Sequence, residues 1–430
     1  MSNTVLLIGT LDTRGREVAY VRDRLAEMGM KTLVLDSGIL GEPVGITPDI
    51  PREQVARAAG SNTEWLRNTG SRAAALDEMK KGIRRYALEL FARGRVQGVV
   101  CLGGADGAEQ GAAAMMALPI GVPKIVVTPV AAGRRHFGNL TGTRDIMVVH
   151  SVVDLTGMNP VSRSIYDNVA AAMVGMIQRR PTIVGKGGKI NTGGKRYAGI
   201  TMLDSTGNAV ARIKEQLQSR GVEGVVFHAN GAGGPAMEDL AEMGMFAGVI
   251  DYTTGELSGQ LFGGFHQGGE RRLERVSALG LPQVVVPGCI DFTVHGPRDE
   301  VPTRLRMRPT FQQDPETTYI RLTHEEMEQV GRVMAQKLNK AAGPLAVLVP
   351  TRGLSLPNAP GGPFWDPGAD FAFLRALMLD LRKGIKVTTV EAHVDDEAFA
   401  GRVAAEFLKM LSTGQAAAAA HPPQANSVRR

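Results

Sequence analysis

The sequence predicts a two-domain α/β protein in which each domain is a mainly parallel sheet covered by helices on both faces. Short β-branched apolar runs alternate with amphipathic helical patterns along the chain, as expected for repeated strand–helix units. The strand runs are apolar on both faces, which is typical of a sheet buried on both sides. The chain of 430 residues is also long enough for two large domains.

The first half supplies one such domain. Strands are predicted at 5–8, 32–35, 98–102, 124–127 and 146–149. Helices are predicted at 14–28, 73–93, 107–117 and 162–179. A stretch rich in lysine and glycine follows, from Gly185 to Gly194, and is the best linker candidate in the chain. The first domain is therefore predicted to span residues 1–190.

The same pattern restarts after this stretch and predicts a second domain over residues 195–412. Its strands are predicted at 197–202, 225–228, 248–250, 283–286, 346–349 and 385–391. Its helices are predicted at 208–219, 234–243, 270–278, 323–340, 369–381 and 395–410. Thr323 and Glu326 form a capping-box signature, and Asp366 stands before a proline as an N-cap. Residues 413–430, with five consecutive alanines, show no burial pattern and are predicted to be a disordered tail.

Composition favours a cytoplasmic protein that acts on small molecules. The formal charge is +6, but the basic residues are scattered and aromatic residues make up only 5%, so nucleic acid is not an expected partner. Two cysteines, Cys101 and Cys289, make neither a disulfide framework nor a metal spacing. A strand that starts at residue 5 leaves no room for a signal peptide, and no apolar run is long enough for a membrane span.

Three predicted strand ends of the first domain carry residues suited to ligand binding. In an open parallel sheet, ligands bind outside the carboxyl ends of the strands, where helix N-termini present free amides. The candidates are Thr10, Asp12, Thr13, Asp36, Gly103, Gly104, Asp106 and Gly107. Hydroxyls and glycine amides suit phosphate oxygens, and a carboxylate after the second strand suits ribose hydroxyls. The structural alternative is that strand-to-helix turns need glycines and caps anyway, and no dinucleotide or Walker motif is present.

Strand ends of the second domain carry groups suited to acid–base catalysis. The candidates for catalytic or orienting roles are His228, Asn230, Glu256 and Asp291. The alternative for His228 is a histidine that only satisfies the end of a strand. For Cys289 an inert buried thiol is favoured, because nothing nearby in sequence would lower its pKa. The glycine loops that begin at Gly103 and Gly231 are expected to occupy equivalent positions in the two domains.

Five segments, taken together, resemble one known family in order and spacing. They are residues 9–13, 118–124, 151–159, 227–234 and 353–364. They are similar to the ATP-binding domain family typified by the inhibitory domain of the tomato mosaic virus resistance protein. The resemblance covers about residues 5 to 411.

This resemblance implies two Rossmann-like domains, a homodimer, and ATP with Mg²⁺ in the N-terminal domain. It would place Thr10, Asp12, Thr13, Gly103, Gly104 and Gly107 around the nucleotide. Where family members look like GGSGGT, this chain has Gly103-Gly-Ala-Asp-Gly-Ala108, so two hydroxyls are lost and Asp106 is gained. A carboxylate beside phosphates is repulsive unless a cation bridges it.

Three functions remain open from the sequence. The first is an enzyme of small-molecule metabolism acting at an interdomain cleft, and the polar groups at the strand ends favour it. The second is a non-catalytic ATP-binding module that docks a partner. The third is a metal-assisted hydrolase or lyase without nucleotide, in which Asp106 or Asp291 helps to hold a divalent ion.

Overall fold

The computed structural model of the chain describes residues 3–132, 138–179, 183–184 and 188–420. The chain divides into two compact units, Met1–Gly188 and Lys189–Arg430. The predicted linker from Gly185 to Gly194 lies partly outside the described residues. The end of the predicted tail, residues 421–430, lies outside them as well.

The described part of the N-terminal unit contains a five-stranded parallel sheet. Its strands are β1 (Thr4–Gly9), β2 (Lys31–Asp36), β3 (Gly98–Leu102), β4 (Lys124–Thr128) and β5 (Met147–His150). Their order across the sheet is β2-β1-β3-β4-β5. Because β2 and β3 lie on opposite sides of β1, the direction in which strands are added reverses between β1 and β3.

Helices cover both faces of this sheet. They are α1 (Leu11–Glu27), α2 (Arg52–Ala58), α3 (Thr63–Asn68), α4 (Arg72–Ala92), α5 (Ala105–Ala117), α6 (Gly138–Thr141) and α7 (Pro160–Arg179). Alternate residues of β1 point to opposite faces, as the period of a strand requires. Val5 and Leu7 join a core with residues of α1 and α7, whereas Leu6 and Ile8 join a second core with residues of α2 to α5.

The C-terminal unit repeats this plan with more strands. In chain order they are β6 (Arg196–Met202), β7 (Val222–His228), β8 (Gly248–Thr253), β9 (Gln283–Gly288), β10 (Phe292–His295), β11 (Thr310–Asp314), β12 (Thr317–Arg321), β13 (Leu345–Pro350) and β14 (Lys386–Val390). Six of the described strands form a parallel sheet in the order β14-β13-β9-β8-β6-β7. Strands β10, β12 and β11 form a small antiparallel sheet.

Helices also cover the parallel sheet of the C-terminal unit. They are α8 (Gly207–Gln218), α9 (Gly233–Glu242), α10 (Glu256–Phe262), α11 (Arg275–Ala278), α12 (Thr303–Arg306), α13 (His324–Leu338), α14 (Pro367–Asp380) and α15 (Glu397–Ala420). One core packs α8 and α15 against the sheet, and another packs α13 and α14 against it. The predicted fold class, two Rossmann-like α/β units with helices on both sheet faces, is confirmed.

Two local predictions differ from the structure. The helix predicted at 270–278 is reduced to α11, because Leu273 adopts a φ of 73°, which an α-helix does not allow. Helix α15 continues to Ala420 instead of ending near residue 410, since alanine has the highest helix propensity. The capping box at Thr323 and Glu326 and the N-cap at Asp366 are confirmed by their hydrogen bonds.

No helix in the described part of the chain has the length and apolar character needed to cross a bilayer.

Candidate functional site

A cavity of about 500 Å³ opens at the carboxyl ends of β1, β2 and β3 in the N-terminal unit. It lies at the reversal between β1 and β3, where open α/β sheets bind ligands. The structure brings six of the predicted residues together in its lining: Thr10, Asp12, Thr13, Gly104, Asp106 and Gly107. The lining also includes residues that the sequence did not single out, among them Ser37, Ile39, Leu40, Leu66, Arg72, Leu76 and Gln110.

The turn between β1 and α1 presents a hydroxyl pair to this cavity. Thr10 is the N-cap residue of α1, but its side chain makes no capping hydrogen bond. Its Oγ1 lies 2.9 Å from Oγ1 of Thr13, one turn further along. A hydroxyl that is not used as a cap can hydrogen-bond to a ligand at the helix N-terminus.

The turn between β3 and α5 separates the roles of two glycines. A Cβ on Gly103 would lie 2.3 Å from the carbonyl carbon of Gly107, so packing within the protein requires glycine there. A Cβ on Gly104 would meet no protein atom within 4 Å. Gly104 lines the cavity and is the N-cap of α5, where the first intrahelical amide bond is donated by Ala108. Amides that precede Ala108 in the first turn of the helix are therefore available to an anion.

Asp36 does not line the cavity, and the structure places it beneath the loop that does. Its Oδ1 accepts from the amides of Leu11 (3.1 Å) and Gly38 (2.9 Å). Its Oδ2 lies 3.0 Å from Nε of Arg52, which is also buried. Burial raises the pKa of Asp36, and the two amides and Arg52 offset part of that rise. The predicted contact with a ribose gains no support, and Asp36 instead fixes the start of α1.

The carboxylate that departs from the family pattern, Asp106, has a cationic partner. Nε of Arg72, at the start of α4, donates to Oδ2 of Asp106 over 2.7 Å. Both residues line the cavity. The second carboxylate in the lining, Asp12, accepts from the amide of Gly41 at 3.0 Å. The guanidinium of Arg72 therefore offsets the charge that Asp106 would bring close to a phosphate.

Two side chains in the cavity lining carry a polar atom that is buried and has no hydrogen-bond partner among the described residues. These atoms are Oγ of Ser37 and Oε1 of Gln110. Ser37 follows β2 directly, so a strand end could have marked it. Gln110 lies inside α5, where no sequence signal distinguishes it from an ordinary helical glutamine.

In the C-terminal unit, three of the four predicted catalytic residues meet at one loop. His228 and Asn230 lie exposed at the end of β7 and in the loop that follows. Glu256 is fully buried at the first position of α10. Its Oε1 accepts from the amides of Gly231 (2.9 Å) and Gly234 (3.1 Å), so the carboxylate holds the loop that carries the two exposed residues.

A buried arginine holds Glu256 in turn. Nε of Arg272 donates to Oε2 of Glu256 at 2.7 Å, and Nη1 donates to Oδ2 of Asp251 at 2.7 Å. Nη1 also reaches Oε1 of Glu238 at 3.2 Å. Burial raises the pKa of Glu238 to about 7, although Arg272 opposes the rise. The cluster thus places three carboxyl groups around one guanidinium, and Glu238 is the group that takes up a proton most readily.

Asp291 belongs to a different buried cluster. Its Oδ2 accepts from Oγ of Ser355 at 2.8 Å, and its backbone carbonyl accepts from Nη1 of Arg321 at 3.0 Å. Burial raises the pKa of Asp291, and Arg321 opposes this effect. Burial also raises the pKa of the Cys289 thiol, in agreement with the inert interpretation.

No group of three or more His, Cys, Asp or Glu side chains suited to a metal ion occurs among the described residues. Asp106 is paired with Arg72, and Asp291 is enclosed with Ser355 and Arg321. The hypothesis of a metal-assisted enzyme without nucleotide therefore gains no ligand set from these two residues.

Two family models match the chain. The N-terminal domain model of an uncharacterised protein family, UPF0261, matches residues 3–182, and the C-terminal domain model of that family matches residues 195–411. A UPF0261 protein of Clostridium tetani (strain Massachusetts / E88) is 35% identical over 413 residues, which cover 96% of this chain and 100% of that protein. The ToMV resistance protein Tm-1(GCR237) of Solanum lycopersicum is 30% identical over 425 residues, covering 95% of this chain and 56% of the tomato protein. Among solved structures, a UDP-N-acetylglucosamine 2-epimerase aligns with 66% of this chain and 79% of its own, at 12% identity and a TM-score of 0.25.

Proposed function

The chain belongs to the uncharacterised protein family UPF0261, and we propose that it is a nucleotide-binding protein whose N-terminal unit takes ATP with Mg²⁺. The observation that supports this most is the cavity at the reversal between β1 and β3, with the N-termini of α1 and α5 in its lining. Helix N-termini favour phosphate oxygens, because their free amides and dipole attract negative charge. The resemblance of the chain to an ATP-binding family supplies the identity of the nucleotide.

The residues present fit a triphosphate with magnesium. The hydroxyls of Thr10 and Thr13 and the first amides of α5 would bind phosphate oxygens. Asp12 is the carboxylate that would meet Mg²⁺, which usually binds through one or two carboxylates together with phosphate oxygens. When bound, the metal would neutralise phosphate charge. Open space beside Gly104 would let the phosphates approach the backbone.

We further propose that the protein is an enzyme of small-molecule metabolism. The supporting observation is the exposed pair His228 and Asn230, carried on a loop that Glu256 fixes through two backbone hydrogen bonds. Such a loop would hold an imidazole in place for proton transfer, with Glu256 as a positioning residue. The alternative is an ATP-binding module without chemistry.

Thermal unfolding with and without millimolar ATP and Mg²⁺ tests the nucleotide proposal. ATP at about 100 times its dissociation constant stabilises a protein by ~2.7 kcal/mol, so a clear rise in melting temperature is expected. Gly104→Ala should abolish the rise without unfolding the protein, because its Cβ meets no protein atom. Gly175→Ala is the matched control: this glycine of α7 is equally open but does not line the cavity.

Absence of any rise in the unsubstituted protein would contradict the proposal, and so would an undiminished rise in Gly104→Ala. The same preparations decide between enzyme and module. ATP consumption that His228→Ala abolishes supports an enzyme, whereas tight binding without consumption supports the module.

A further inference from the structure

The cavity of the N-terminal unit contains two polar atoms that its own residues leave unpaired. The Ser37 side chain is 0% exposed and the Gln110 residue 1% exposed, and both line the cavity. Oγ of Ser37 and Oε1 of Gln110 have no hydrogen-bond partner in the described part of the chain. Buried polar groups are nearly always hydrogen-bonded in folded proteins, so unpaired ones that face a cavity point to a ligand.

These atoms lie away from the phosphate-binding turn. Gln110 follows Gly104 by six positions along α5, which corresponds to about 9 Å along the helix axis. Apolar side chains stand in the same lining, namely Ile39, Leu40, Leu66 and Leu76. The cavity thus combines an anion-binding end with apolar walls and two isolated polar atoms. Apolar walls with a few placed polar groups are the usual environment of a bound ring.

We propose that Gln110 and Ser37 read the edge of the nucleotide base, an inference that rests on the nucleotide binding proposed above. A carbonyl oxygen can only accept a hydrogen bond, so Oε1 of Gln110 requires an N–H group on the base. The hydroxyl of Ser37 donates to a ring nitrogen beside that group. The amino edge of adenine supplies both partners. A purine without the amino group leaves Oε1 of Gln110 buried and unpaired, which weakens binding.

Isothermal titration of the full chain tests this, with Mg²⁺ and either ATP or purine riboside triphosphate. The two ligands share the ring and the phosphates, but the second lacks the 6-amino group. We expect the unsubstituted protein to bind the analogue roughly tenfold more weakly than ATP, as the loss of one buried hydrogen bond predicts. Gln110→Leu should weaken ATP by a similar factor and remove the difference between the two ligands. Ser37→Ala should weaken both ligands equally.

Gln283→Leu is the matched control. Gln283 is equally buried and also has an unpaired amide atom, but it belongs to the C-terminal unit. It should leave both affinities unchanged. Equal affinity of the unsubstituted protein for ATP and the analogue overturns base reading and leaves the nucleotide proposal intact. Absence of binding by either ligand overturns the nucleotide proposal itself.

Discussion

The buried charges around Arg272 show how single residues set the properties of the C-terminal unit. Arg272, Asp251, Glu256 and Glu238 are all buried, and the three acids outnumber the one base. One of the acids therefore gains from being protonated. Glu238 is that group, since burial raises its pKa to about 7.

This pKa predicts a dependence of stability on pH. A carboxyl whose pKa is 4.5 when unfolded and about 7 when folded stabilises the fold fully below pH 4.5 and loses that contribution as the pH rises through 7. Glu238→Gln keeps the neutral form at every pH. Between pH 5 and 8 the free energy of unfolding should therefore change in favour of the variant, by on the order of 3 kcal/mol relative to the unsubstituted protein.

Urea unfolding of both proteins at pH 5, 6, 7 and 8 measures this difference. Glu242→Gln, on the exposed side of the same helix, is the control, because burial does not dominate its pKa. A difference between the unsubstituted protein and Glu238→Gln that stays constant with pH would refute the assignment.

Residues that line the cavity were predictable where they follow directly from the alternation of strands and helices. Thr10 and Gly104 stand at strand ends, and the free amides of a following helix are a consequence of helix geometry alone. The supporting residues were not predictable in the same way. The contact of Glu256 with Arg272 joins positions 16 apart and needs a turn at Leu273 that no pattern signals. Asp36 was singled out for a ligand, whereas the fold uses it to hold α1.

At the scale of elements, the sequence pattern identified the buried strands well and the exposed ones poorly. Strand β3 has the predicted bounds because its five residues are all buried and apolar or glycine. Strands β11 and β12 were missed, since they read Thr-Phe-Gln-Gln-Asp and Thr-Thr-Tyr-Ile-Arg and form a small antiparallel sheet. Helix α10 has only seven residues, too few for a helical period to stand out.

Helix α14 leads to a prediction about association, because large apolar side chains cover its outer face as well as its inner one. Phe371, Met378 and Leu379 are 64%, 57% and 75% exposed, and their spacing of seven and eight positions puts them on one face. Helices that are apolar on all sides are normally covered. We expect a second copy of the chain to cover this face, as the family resemblance suggests.

Light scattering after gel filtration measures the result. The unsubstituted chain should elute as a dimer, and the double variant Phe371→Ser, Leu379→Ser as a monomer. Met307→Ser is the control, since Met307 is 91% exposed outside α14 and should leave the dimer intact. A monomeric unsubstituted chain, or a double variant that stays dimeric, would exclude α14 as the contact.

At the scale of the whole molecule, the two units share a topology but differ at their ligand edge. Strand β6 lies between β7 and β8 as β1 lies between β2 and β3. The expected equivalence of the two glycine loops is wrong, because Gly103 follows a strand at the reversal, whereas Gly231 follows β7 at the sheet edge. The turn that corresponds to Gly103 is the one between β8 and α10, and it carries Glu256. The carboxylate of that residue binds the amides of the glycine loop, which an anion would otherwise use.

Each unit has its own sheet and its own cores, which predicts that the N-terminal unit is stable by itself. Residues 1–188 expressed alone should unfold cooperatively on heating, and ATP with Mg²⁺ should raise the melting temperature as in the full chain. Residues 189–430 serve as the comparison and should show no response to ATP. A fragment 1–188 that shows no cooperative transition would show that its cores do not suffice.

Parallel pairing in both large sheets also has a consequence for how the chain reaches its native state. Neighbouring parallel strands cannot be joined by a tight hairpin, so each pair forms only after a long crossover segment has closed. Topologies dominated by such distant contacts fold slowly and expose unpaired strands on the way. Because the first sheet is complete by residue 188, it can assemble while the ribosome is still synthesising the second. Synthesis from one end to the other thus divides one slow search into two shorter ones.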